Sequence, residues 1–178
     1  MRIVYLIVAL LISFNSFTQN GFAKQFRDIV NDTANGFPGF RGEVKMKDKS
    51  ATGTIYIGYI SLSTLENTSK NNIKYVGSPD LSVYSYDALI ADSVGESKGE
   101  RICDEWKDKI AFMTESGYVI KKYDGKPWVF GKYGWGLSKY GWGLSKGELD
   151  ISIDLSSIEN TDLNRVSLSI FYTIYKVR

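Results

Sequence analysis

Tyr133, Trp135, Tyr140 and Trp142 fall in a stretch, Tyr133–Lys146, where the seven-residue word Tyr-Gly-Trp-Gly-Leu-Ser-Lys is written twice without change. Such side chains bind rather than react: paired Trp and Tyr stack on sugar rings, sit at a membrane interface or form a protein contact. Within one copy, large side chains alternate with glycine at period two, which reads as a strand with one aromatic face and one bare face. A helix is disfavoured because every turn would carry a glycine. Seven is odd, so a strand running straight through both copies would turn the second set of side chains to the opposite side. A hairpin reversing about Ser138-Lys139 removes that conflict, facing Trp135 with Trp142 and gathering six large side chains on one face. Ser-Lys lacks the glycine or asparagine that positive φ demands, so a four-residue loop over 137–140 serves equally well. These four aromatics are the candidate binding residues. The competing reading is a tandem copy tolerated at a loop tip, serving no purpose.

The remaining chemistry is narrow. The chain has no histidine and a single cysteine, Cys103, which removes Ser-His-Asp and Cys-His catalysis, histidine-ligated zinc and any internal disulfide. Acid/base work would fall to carboxylates, lysine or tyrosine. Asp150 and Asp154 flank Ser152 on one face of a strand, and Asp104, Glu105 and Asp108 cluster on a helix; such pairs can run glycoside hydrolysis or bind calcium, yet most are solvated surface. No EF-hand spacing occurs, and the glycines at Gly131 and in the repeat lack the spacing and the following helix of a phosphate loop. No catalytic residue, metal site or cofactor is expected. Asn31 and Asn67 head glycosylation patterns, which matter only in a eukaryotic secretory pathway.

Charge is balanced, with 22 Lys+Arg against 20 Asp+Glu in 178 residues, and no basic face indicates nucleic acid. Lys45, Lys47 and Lys49 alternate along what reads as a solvated strand edge. Met1-Arg2 followed by the apolar run 3–12 is too short to span a bilayer and reads as a secretory signal peptide, cut after Gln19 or after Ala23, the former preferred; a retained anchor is the alternative.

The elements that must position these groups follow from periodicity. Residues 21–34 read as an amphipathic helix with Phe22, Phe26, Ile29 and Val30 on one stripe, ended by Asn35-Gly36. A hairpin follows over 42–47 and 52–63, then a polar loop at 66–72, strands at 73–76 and 81–86, and a flexible stretch at 92–99. A second helix covers 100–114 with Ile102, Cys103, Trp106, Ile110 and Met113 inward, which makes Cys103 a core residue rather than a reactive thiol. Leu149 to Leu155 and Val166 to Lys176 alternate as strands, and Trp128 reads as core.

Together these give an α+β protein: a signal peptide at 1–19, then one domain at 20–178 with a mostly antiparallel sheet of about five to seven strands packed by two helices, and a Gly/aromatic hairpin inserted at 132–146. The expected function is an exported (periplasmic or extracellular), non-enzymatic binding or interaction domain for an unknown protein or glycan partner. Nucleic acid is excluded, and membrane contact is expected only through the signal segment or the aromatic hairpin. A carboxylate-dependent glycan hydrolase is one alternative; a purely structural domain with the hairpin packed into its own core is the other.

Overall fold

A computed structural model describes residues 21–51, 53–124, 127–130, 134–137, 140–146 and 148–175, with the backbone alone over 119–145 and at 175. The expected signal peptide and the side chain of Trp128 lie outside what is described.

Helix α1 covers 21–33, and the stripe that predicts it, Phe22, Phe26, Ile29 and Val30, is buried. It ends where the Asp32 carbonyl accepts the N–H groups of Asn35 at 3.2 Å and Phe37 at 3.0 Å. Gly36 turns the chain there with φ of 76° and lies so close to the Tyr84 ring that a Cβ would collide with it, so only glycine fits.

Strands β1 (Arg41–Lys49) and β2 (Ile55–Ser61) form the expected hairpin. Strands β3 (Ser69–Gly77) and β4 (Leu81–Val94) are longer than their local sequence suggests. The start of β3 takes in residues expected as loop, and the end of β4 takes in residues expected to be flexible. The reason is long-range: Ser69 is held opposite Leu89, and Val94 opposite Asn164, so the ladder overrides weak local propensity. Helix α2 (Glu96–Ile110) accordingly begins four residues early and passes into a 3-10 turn, Ala111–Ser116. Its buried residues include Cys103, Trp106 and Ile110, with Met113 following, as the periodicity requires.

The last part of the chain is strand: β5 (Val119–Asp124), β6 (Pro127–Phe130), β7 (Gly134–Leu137), β8 (Tyr140–Lys146), β9 (Leu149–Ser157) and β10 (Asn164–Tyr175). One antiparallel sheet runs β1-β2-β3-β4-β10-β9 and continues through β8 to β5, while β6 and β7 pair as a separate ribbon. This is the expected α+β class, a mostly antiparallel sheet packed by two helices. Both helices cover one face. A register row crosses the sheet on that face through Tyr59, Ile73, Tyr86, Ile170 and Ile151, and the helices close over it with Phe22 edge-on to Trp106 at 5.8 Å and Phe26 edge-on to Phe112 at 6.0 Å. This row of aliphatic and tyrosine side chains and the two helical stripes form one continuous core. Tyr86 places its hydroxyl inside it, where it accepts the Leu65 N–H at 3.2 Å and donates to Asn71.

Candidate functional site

The opposite face of the sheet is built from the alternate residues of the same strands, so its chemistry is fixed by the polar half of each period-two pattern. One row runs Asn72, Asp87, Ser169, Ser152 across β3, β4, β10 and β9; the next runs Lys74, Ser85, Phe171, Asp150. Over β9 this face is not open: Ser152 is fully buried. Over β3, β4 and β10 it opens into a groove of about 350 Å³, walled by Lys70, Asn72, Lys74, Asp87, Arg165, Ser167 and Ser169.

Asp87 organises the floor. It accepts the Ser169 hydroxyl at 2.7 Å and the Ser85 hydroxyl at 3.2 Å, and it pairs with the Lys74 ammonium at 2.9 Å. Asp92 organises one end, bonding Lys70 at 3.2 Å and Arg165 at 3.3 Å. The hydrogen bond from Lys70, joined by the hydrogen bond and charge of Arg165, holds the Asp92 carboxyl below its usual range. The groove therefore presents three exposed cations, fixed in place by two carboxylates, beside hydroxyl and amide groups that can donate or accept.

None of these groove residues stands out as a motif, though a signal exists. Lys70, Asn72 and Lys74, and likewise Arg165, Ser167 and Ser169, recur at period two. Each set is the polar half of a strand whose register partner cannot be read locally.

At the far end of the sheet, β1 is exposed on both sides from Glu43 to Lys49. Val44 is 56% exposed, Met46 57%, Ile60 49% and Leu62 67%, so this edge gathers four of the six exposed large hydrophobics among the described residues.

The expected aromatic hairpin is not formed as one. The first copy supplies β7, which pairs with β6, Trp135 lying opposite Val129; the second supplies β8, which pairs with β9 and β5, Trp142 lying opposite Ile153 and Lys122. The two copies thus occupy different ladders, and Trp135 does not face Trp142. Two outside strands, β6 and β9, win the pairing because each offers a full ladder to one copy, where the short Ser-Lys turn offers poor closure. Tyr133, Ser138 and Lys139, and the side chains of Trp135, Tyr140 and Trp142, lie outside the described residues.

The other expected groups are placed as follows. Cys103 is buried, and burial, reinforced by Asp154, Asp104 and Glu100, pushes its thiol up to about 12. Glu105 and Asp108 are exposed and pair with Arg101 at 3.7 Å and Lys107 at 3.0 Å. Asp150 and Asp154 flank the buried Ser152 on β9. Among the described residues no group of three or more metal-ligating side chains comes together, and no helix is long and apolar enough to cross a membrane.

No family model, no curated protein and no solved structure matches this chain.

Proposed function

We propose that the protein is a non-enzymatic binding domain whose recognition surface is the groove on the sheet face opposite α1 and α2, and that its ligand is an acidic, hydroxyl-rich glycan. The observation that carries this reading is the cationic groove itself. Lys70, Lys74 and Arg165 converge on about 350 Å³, a volume within the range of small-ligand sites. Their charges exceed those of Asp87 and Asp92 by one, so a ligand carboxylate is attracted. Asn72, Ser167 and Ser169 supply the short polar contacts that sugar hydroxyls need. Arg165 favours a carboxylate by its planar fork of donors, and the pairs with Asp87 and Asp92 hold all three cations in position before a ligand arrives.

Hydrolysis of the glycan is disfavoured by the same geometry. A leaving-group proton donor needs a raised carboxyl pKa, whereas the perturbed carboxyl beside the groove, Asp92, is pushed down by Lys70 and Arg165.

Titration calorimetry with tetragalacturonate tests the reading, with neutral cellotetraose as the comparison. Saturable binding of the uronate alone is expected, weakened about tenfold by Lys74→Glu or by Arg165→Glu, since each reverses an exposed charge at the ligand. Absence of uronate binding, or equal binding by the variants, would overturn it.

A further inference from the structure

We infer that the β1 edge is a docking site for an acidic strand from another protein, added antiparallel or parallel alongside Arg41–Lys49. Strand β1 contributes no residue to the groove. Among the described residues strand β1 ends the sheet order and pairs with β2 alone, so its outer row of backbone N–H and C=O groups meets no described strand and can bond another chain. The two sides of the strand differ in chemistry. Met46 lies opposite Gly58, on the side of Ile60 and Leu62, whereas Lys47 and Lys49 lie opposite Ile57 and Ile55 on the other side. Asp48, opposite Tyr56, shares the Met46 side, and Val44, opposite Tyr59, shares the lysine side, so an added strand would meet a mainly apolar side with one carboxylate and a mainly cationic side with one valine.

Charge decides which strand fits. Lys45, Lys47 and Lys49 enter no ion pair among the described residues, and together with Arg41 they outnumber the strand's two carboxylates, Glu43 and Asp48. A second copy of this chain is a poor occupant. A two-fold through Met46 sets Lys45 opposite a second copy's Lys47, which cancels the gain from Lys49 opposite Glu43; a two-fold through Lys45 sets Lys45 on itself and Lys49 opposite Arg41, which outweighs Lys47 opposite Glu43, so self-pairing brings no net charge gain. Like charges directly opposite destabilise a pair of strands. The complementary occupant alternates Asp or Glu, facing the lysines, with apolar residues, facing Met46, Ile60 and Leu62. Main-chain bonds would supply affinity and the alternation would supply specificity, as in other strand additions.

The test is fluorescence anisotropy with a labelled eight-residue peptide of alternating glutamate and valine. A lysine/valine alternation and a block peptide of the same composition, glutamates first, serve as comparisons. The expected result is saturable binding of the alternating acidic peptide alone, weakened about tenfold in Lys45→Glu/Lys47→Glu and severalfold in Met46→Asp. Both substitutions sit at exposed positions, and circular dichroism and thermal melting of each variant establish that it is folded. Binding should also fall severalfold as salt rises from about 0.05 to about 0.5 M, because the lysines are solvent-exposed. No binding by the alternating acidic peptide, equal binding by the block peptide, or a dimer of the unmodified protein in sedimentation that Met46→Asp dissolves, would each overturn the proposal. A failure here leaves the tetragalacturonate result untouched, and the reverse holds.

Discussion

Replacing Gly99 with alanine sets two opposed effects against each other at one atom. Gly99 lies inside α2 and is buried. In an unobstructed helix interior the added methyl would stabilise by about 1 kcal/mol, because glycine costs backbone entropy that alanine does not. Here a Cβ would land well inside contact distance of Leu155 Cδ1, at 3.3 Å from Cδ2 and 3.4 Å from Cγ. Leu155 is fully buried beneath α2, with β10 and β8 flanking it through Val166 and Tyr140. It cannot swing into solvent. Forcing a methyl into a filled core costs about 1–3 kcal/mol, so the net expectation is a loss of about 1 kcal/mol. For a domain of this size that is a fall in Tm of about 2–4 °C. Calorimetry of Gly99→Ala reads the sign directly. The double variant Gly99→Ala/Leu155→Val supplies the second arm: shortening Leu155 makes room, so the two losses should fail to add by about 1 kcal/mol. A rise in Tm for Gly99→Ala, with additive behaviour in the double variant, would refute close packing of α2 on β9.

Two further predictions bear on the core and on the repeat. The Cys103 thiol ionises near 9 in the unfolded chain but only near 12 in the fold; above pH 9 the unfolded state therefore binds fewer protons, and stability should fall with rising pH by up to about 1.4 kcal/mol per unit. Denaturant midpoints between pH 8 and 10 should show this slope in the natural protein and lose it in Cys103→Ala; a slope that persists would assign it to another group. Tyr86, which burial raises to about 12, adds a loss of the same sign only above pH 10. Deleting Tyr140–Lys146 should leave a folded sheet, because the remaining copy of the word can take the β8 register against β9; hydrogen exchange in β9 should stay slow, and free exchange there would show that the copies are not interchangeable.

Elements whose pattern is local were legible. The α1 stripe of Phe22, Phe26, Ile29 and Val30 and the α2 stripe of Cys103, Trp106 and Ile110 repeat at helical spacing and are buried as that spacing requires. Leu149, Ile151, Ile153 and Leu155 alternate with polar residues and face the helices. The same alternation carried the groove residues, but their meaning depends on which strands become neighbours. Asp87 becomes a hub only because β10 brings Ser169 and β3 brings Lys74 beside it. Those partners stand 82 and 13 positions away in sequence, and no periodicity within one strand encodes the choice.

The doubled word shows the same limit from the other direction. Its internal alternation correctly predicts two strands, since both copies are extended. Alternation fixes which residues share a side of a strand and leaves the partner open, so a ladder between the copies and ladders to outside strands satisfy it equally. The deciding term is backbone pairing summed over length. If the copies paired with each other, the second copy would give up one of its two edges, either the seven-residue match that runs from Tyr140 opposite Leu155 to Lys146 opposite Leu149 or the six-residue match to β5. A self-paired hairpin offers only one such ladder, closed by a turn without glycine or asparagine. Two identical words therefore adopt different surroundings: the second copy is enclosed between β9 and β5, and the first is left to the separate ribbon with β6.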